Sequence, residues 1–372
     1  MAVGFPTKAN WAAGDVLTAS AQDDLAGTVN LLSNASASTG QYLVSNTAGT
    51  SFVYNNNFAA GKNAIINGAF NVWQRGTGTF TKTTGAEVYT ADRWVISNDA
   101  GTITCAQQTF TPGTAPVAGY EGQFFARITT TASSSNALYL IQKIEDVRAF
   151  AGQTVTLSYW AKVSSGTVTN SPLAIQAFGS GGSGDVVTSL SSSTITTAWT
   201  RFTHTVAIPS ISGKTVGTSS SLQMQVLRVG VSATIDIWGV QVEAGSVATA
   251  FQTASGSLGG ELALCQRYYW RSTATSDSYV GTGLAGSATA AYIAVQNPVT
   301  MRVAPTVIDY SSLSLQIITT AVAVTSAGIS VSTTSNVLVQ ANVTAGLVAT
   351  TQMYMLRATS AGSGYLGFGA EL

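Results

Sequence analysis

The sequence predicts a mainly β protein: a large β-sandwich, then a smaller β-unit, with short helical segments before the first and between the two. Three observations carry that prediction. Alternating apolar and polar runs recur along most of the chain, separated by Gly-, Ser- and Thr-rich turns. Only 9% of the 372 residues are charged, against roughly 25% in an average soluble protein, so solubility rests on hydroxyls and exposed peptide groups. Helical periodicity is confined to two short stretches.

Residues 1–62 read as a small adaptor. Ser20 followed by Asp23 is a capping-box-like start, after which Leu25, Val29 and Leu32 recur at helical spacing up to Asn34. So short a helix is marginal alone and needs a partner face. YLVSNTAGTSFVYNN (42–56) offers two strands around a Gly-containing turn.

Residues 63–253 are strand after strand: GQFFARITTT (122–131), QTVTLSYWAKV (153–163), WTRFTHTVAIP (199–209), SLQMQVLRVGV (221–231) and ATIDIWGVQVEA (233–244). Val155, Leu157, Tyr159, Ala161 and Val163 share one face, which suits a core. Thr156, Ser158, Trp160 and Lys162 share the other, so Trp160 is expected to project outward. The apolar phase shifts near Gly239, which predicts a bulge or bend. FGSGGSGDV (178–186) reads as a flexible hairpin turn, since it lacks the Lys-Ser/Thr of a phosphate loop.

Residues 254–272 form the second helical stretch, a neck. Leu258, Leu262, Cys265 and Tyr269 fall at spacings of four, three and four, an apolar seam of about three turns. Gly259-Gly260 would fray its start, so the helix is expected from Glu261. The segment is either a connector packed on its own sandwich or a seam along which copies of the chain meet. Residues 273–372 are the C-terminal β-unit, with strands in YIAVQNPVTMRVAPTVIDY, SLSLQIITT, NVLVQANVT and QMYMLRA, and with Pro298 and Pro305 at edges or corners.

Chemistry is hard to find. The net charge is zero and the lysines are scattered, so a phosphate-tracking surface for nucleic acid is not expected. No run of about 18 apolar residues exists to insert in a membrane. Cys105 and Cys265 lack metal-ligand spacing and read as two reduced, buried thiols. The single histidine, His204, shares a strand face with Phe202 and Val206, and no nucleophile motif accompanies it. No catalytic residue, metal site or cofactor is predicted, and the chain reads as a non-enzyme. What remains are aromatics, whose flat faces suit the apolar sides of sugar rings without needing charge. Trp160, Trp94 and Tyr139 are the glycan-binding candidates, with Trp238 a further platform; Tyr279, Tyr292, Tyr354 and Tyr365 are candidates in the C-terminal unit.

NAIINGAFNVWQRG (63–76), YTADRW (89–94), IEDVRAFAGQTVTLSYWAKV (144–163), TTAWTRFTHTVAIPSISGKT (196–215), IDIWGVQVEAGSVATAFQ (235–252) and ELALCQRYYWRS resemble a jelly-roll module of bacteriophage tail fibre proteins. TKANWAAGDVLTAS resembles the attachment segments with which such fibres begin. The module is itself similar to carbohydrate-binding modules, whose opening turn corresponds to Asn67-Gly68-Ala69-Phe70 and whose W-x-R strand corresponds to Trp199-Thr200-Arg201 ahead of Pro209. Where many such modules hold calcium through an acidic pair, this chain reads Trp238-Gly239-Val240. The resemblance implies a jelly roll (63–253), a helical neck (254–272) and a β tip (273–372) forming a smaller C-terminal β-sandwich. It implies a homotrimeric virion protein, assembled in the host cytoplasm and released by lysis. Such a protein joins other virion proteins through residues 1–62 and contacts a host-surface glycan or protein. The competing readings are a purely structural virion component, such as a fibre adaptor or capsid decoration, and a polysaccharide-degrading tailspike.

Overall fold

The computed structural model describes residues 41–45, 52–56 and 61–372, except 84–85, 100, 118–119, 132–137, 274–277, 318–319, 350–351 and 360–363. The chain divides into two units, Met1–Ala59 and Ala60–Leu372. In the first, β1 (Gln41–Ser45) and β2 (Phe52–Asn56) form the antiparallel hairpin expected from the sequence, Gln41 opposite Asn56. The helix expected around Leu25, Val29 and Leu32 lies outside the described residues.

The second unit begins with the jelly-roll sandwich of two six-stranded antiparallel sheets. Sheet A runs β12 (Val186–Ser189), β11 (Leu173–Ala177), β15 (Ser221–Val229), β8 (Leu138–Glu145), β5 (Trp94–Ser97), β4 (Val88–Tyr89). Sheet B runs β14 (Thr200–Ala207), β9 (Thr154–Val163), β16 (Ala233–Ala244), β7 (Phe124–Thr130), β6 (Ile103–Thr109), β3 (Phe80–Lys82). A short pair, β10 (Val168–Asn170) with β13 (Ser193–Ile195), closes one end. Alternation sends one side of every strand inward: Leu157, Tyr159 and Ala161 of β9 meet Leu138, Leu140, Leu222 and Met224 of sheet A in the core. The bulge predicted in β16 is present. Gly239 has φ +66°, and the register to β9 shifts between Trp238 and Gln241.

Next come α1 (Leu258–Gln266) and β17 (Tyr269–Thr273). The C-terminal sandwich has a seven-stranded sheet ordered β22 (Thr320–Ala323), β21 (Leu313–Ile317), β25 (Met353–Ala358), β18 (Ser278–Ala285), β19 (Ala290–Gln296), β24 (Asn336–Asn342), β23 (Ser326–Ser332). Beside it lies a three-stranded sheet, β17, β26 (Tyr365–Gly369), β20 (Val307–Ser311). Trp270, Ile293, Leu315, Leu366 and Phe368 fill its core. Pro298 and Pro305 fall in the connection between β19 and β20, where no ladder bond is asked of them.

Three sequence expectations need correcting. Helix α1 starts at Leu258, not Glu261. Ser257 caps it by accepting from the Gly260 N–H at 3.1 Å, and buried Glu261 accepts from the Asn67 and Ser255 N–H groups, both at 2.7 Å. Capping and tertiary anchoring outweigh the cost of two glycines. The seam is also shorter than its spacing implied, because the helix stops at Gln266 and Tyr269 opens a strand. Finally, 178–186 is not a loose turn: its backbone is stitched to 215–218 through Ser180 N–Thr218 O, Gly217 N–Phe178 O and Ser183 N–Thr215 O bonds.

The segment 258–272 joins the two sandwiches. Arg267 pairs with Glu145 of β8 at 2.9 Å, and the Tyr268 hydroxyl donates to the same carboxylate at 2.9 Å. Arg93 lies on the Tyr268 ring, 3.5 Å from its centroid, and Arg75 on the Tyr269 ring at 3.6 Å. Both arginines bind Glu371, which follows β26. Tyr89 donates to the Leu372 carbonyl at 2.8 Å, and Arg302 reaches the Ala370 and Glu371 carbonyls. The C-terminal sandwich is clasped to the jelly roll at its last residues as well as through the connecting helix.

Candidate functional site

The outer face of sheet A is where the jelly roll presents unlike groups side by side. Along β8 the outward residues are Tyr139, Ile141, Lys143 and Glu145, a line of about 20 Å at strand rise. Cross-strand register fixes their neighbours. Tyr139 lies between Ser97 and Arg228, Ile141 between Val95 and Gln225, and Lys143 opposite Gln223. Beyond them Gln225 pairs with Leu173, and Gln223 with Ile175. A bulge in β15 makes this row possible. Val226 and Leu227 are both buried in the core, and Asn170 bridges the irregularity by donating to the Val226 carbonyl and accepting from the Arg228 N–H. Without it, Arg228 and Gln225 could not both face outward.

The polar groups of this face hold one another in place. The Tyr139 hydroxyl donates to Asp99 Oδ2 at 2.8 Å, and burial together with that carboxylate pushes the phenol up to about 12. Lys143 binds Glu87 at 2.8 Å and the Leu372 carbonyl at 3.2 Å. The Oε1 of Gln225 is buried without a partner. At its lower end Lys143 and Glu145 also line a cleft of about 720 Å³ between the jelly roll and α1, with Ile66, Gln142, Leu264, Arg267 and Tyr268, to which the C-terminal unit adds Val299 and Thr300. Its volume is in the range of small-molecule pockets, and domain interfaces are a usual place for them. A part-exposed phenol, amides and ion-paired charges can hold a polyhydroxylated ring by stacking and hydrogen bonds, while Val95 and Ile141 beneath them are buried.

Of the jelly-roll candidates, Tyr139 alone is on this face and half-exposed. Trp94 is a core residue: its ring stacks on Phe70 at 4.9 Å, and its N–H donates to the Asn67 carbonyl. Trp160 does point away from the core, as its phase required, but it is only 8% exposed. The outer face of sheet B is roofed there by a second aromatic cluster of Phe110, Phe125, Trp160, Trp238 and Phe251. Strand alternation gives the direction of a side chain and says nothing of what loops cover it. Trp238 is fully buried in that cluster, its N–H unpartnered.

In the C-terminal unit Tyr279 and Tyr292 are exposed, and Tyr292 pairs across the sheet with exposed Leu284. Tyr354 is fully buried, accepting from the Val348 N–H at 2.7 Å, so it offers no ring to a ligand. Tyr365 is half-buried with Arg271 on its ring at 3.1 Å. Leu258 and Leu262 are 61% and 37% exposed, whereas Cys265 and Tyr269 are buried within the chain, so only the first two are open to a neighbour. Gln225, Gln223 and Arg228 were missed by sequence reading. The bulge that aims them breaks the alternation, and only the Asn170 contact reveals it.

Cys105 and Cys265 are free, buried thiols; burial pushes the first up to about 12 and the second well above the usual range, which disfavours the thiolate at both. His204 is buried between Ser191 (3.0 Å) and the Tyr159 hydroxyl (3.2 Å), and burial lowers its pKa. Among the described residues no three His, Cys, Asp or Glu side chains are grouped to hold a metal.

The chain matches no family model and no curated protein. Among solved structures it is similar to a xylan-binding domain from Paenibacillus barcinonensis, with 10% identity over 42% of this chain and 87% of that one, TM-score 0.29. It is similar to a C-terminal family 22 carbohydrate binding module of Clostridium thermocellum, with 15% identity over 42% of this chain and 89% of that one, TM-score 0.30. A Stig cyclase from Fischerella superposes to the same degree, with 13% identity over 51% of this chain and all of that one, TM-score 0.33. At these values no residue role passes from them to this chain.

Proposed function

We propose that this protein is a non-enzymatic glycan-binding protein whose site is the outer face of sheet A and the cleft below it. The observation that carries the reading is Tyr139, half-exposed in register with Arg228 and one row from Gln225, on a face whose charges are largely ion-paired. Such a surface offers a ring to stack on and amides to hydroxyls while excluding little by charge. In the fuller reading the chain is a phage tail fibre. Residues 1–62 join it to the virion, a second and third copy meet it at Leu258 and Leu262, and the β-domains contact the host surface. The sequence resemblance supports that role, and exposure of the two leucines is consistent with it. Many copies per particle would multiply weak single sites.

The test is binding of labelled full-length protein to host cells and to isolated surface polysaccharide. Tyr139→Ala and Gln225→Ala should each weaken saturable binding about tenfold, the loss of one stacking or hydrogen-bond contact of about 1.4 kcal/mol. Saturable binding that neither substitution changes would move the site elsewhere. No binding by wild type would favour the purely structural virion role.

A further inference from the structure

Sheet B carries a second surface with a different chemistry. Among the described tryptophans Trp199 alone is not buried; Trp73, Trp94, Trp160, Trp238 and Trp270 all are. Its ring is propped by Phe110 at 5.5 Å and Phe125 at 5.6 Å, so the indole is held rather than loose. Residues on either side of it in sequence are exposed. The Lys162 ammonium lies 5.4 Å from the ring centroid. On the same outward face Arg127, Asp236 and Lys162 stand in one cross-strand row.

This row is electrostatically unbalanced. The single carboxylate of Asp236 is taken up in a two-pronged pair with Arg127, at 2.7 and 2.9 Å. Lys162 forms a longer ion pair with the same carboxylate at 3.7 Å, without a hydrogen bond. Arg127 is 41% exposed and Lys162 32%, while Asp236 is buried. Two cations and one buried anion leave a net positive charge beside a fixed indole, on a chain whose total charge is zero.

We propose that Trp199, Lys162 and Arg127 form a second ligand site, selective for a sugar that carries a carboxylate, with the ring against the indole and the carboxylate on Lys162. It does not depend on the sheet A site and lies on the opposite face of the sandwich. A charge-assisted bond to an ammonium is roughly twice a neutral one, so the acid group decides the selectivity.

Full-length protein is titrated with a uronic-acid-containing oligosaccharide, with its carboxyl-reduced counterpart, and with acetate, following heat and tryptophan emission. The acidic sugar binds and changes emission, and its affinity exceeds that of the reduced sugar about tenfold, weakening with salt. Lys162→Gln removes that preference, Trp199→Phe removes the emission change, and Tyr139→Ala leaves both intact, which separates this site from that of sheet A. Equal affinity for both sugars, a preference that survives Lys162→Gln, or acetate binding as well as the sugar, would overturn the proposal. So would absence of any acidic-sugar binding by a protein with unchanged folding.

Discussion

Arg93 shows how much a single side chain decides in this molecule. It sits at φ +73°, a left-handed conformation uncommon for a non-glycine residue, and is fully buried. Its guanidinium is committed to Glu371, the Lys143 carbonyl and the Tyr268 ring. Replacing Glu371 by Gln leaves two arginines facing a neutral amide, one of them in a dry site. The expected cost is about 2–4 kcal/mol, read as a fall in urea midpoint. Arg148→Gln, which breaks the exposed pair with Asp146, should cost under about 0.5 kcal/mol. Equal effects would mean that the clasp contributes no more than a surface pair. Nearby Asp92 is buried and accepts from the Gln74 N–H and side-chain amide; burial, only partly offset by Gln74, pushes it up to about 6. Its folded value lies above its unfolded one, so the native state holds the extra proton between roughly pH 4 and 6. That contribution is complete at the acid end and is lost as pH rises through 6, by up to about 3 kcal/mol. Asp92→Asn should flatten that slope relative to wild type in urea titrations at pH 4 to 7; parallel curves would refute the assignment.

Among the elements, α1 and the turn that receives it are the instructive pair. The Asn67-Gly68-Ala69-Phe70 turn needs left-handed backbone at Asn67 and Phe70, and the Asn67 N–H donates to Glu261 of the helix. A Cβ on Gly68 would stand 2.1 Å from the Val240 carbonyl oxygen, a clash with backbone that cannot yield. Gly259, within the helix, has open space around the same position. Gly68→Ala should therefore unfold the protein or cost several kcal/mol, while Gly259→Ala should stabilise it by about 0.5–1 kcal/mol, glycine being a poor helix former. Thermal melts of the two variants check both signs at once. The strands themselves were legible in the sequence: β7, β9, β14, β15 and β16 fall where alternation placed them, because each buries one face on one continuous core. The start of α1 was not, since beside the Ser257 cap it is anchored by a carboxylate that meets a turn 194 residues away.

For the molecule as a whole, the two sandwiches do not hang on a flexible neck. Arg267–Glu145, the Arg75–Arg93–Glu371 clasp and Tyr89 tie them together, which fixes the walls of the cleft that ends the sheet A face. Exposed Leu258 and Leu262 project from the linking helix. If copies of the chain meet there, Leu262→Asp places a charge in an apolar contact and lowers the mass seen by light scattering to that of a monomer. An unchanged mass would place any self-association elsewhere.

Alternation, turn residues and the scarcity of charge determined by themselves that this is a β protein, where its main strands run, that β16 bulges or bends near Gly239, and that Trp160 leaves the core. These are local properties, written in neighbouring residues. Only the tertiary structure decided which outward residues stay accessible. Loops from distant parts of the chain roof Trp160 and leave Tyr139 and Trp199 part-exposed, and a bulge held by Asn170 aims Gln225 and Arg228. Accessibility depends on what packs on top of a side chain, and that partner is chosen by the whole fold rather than by sequence position.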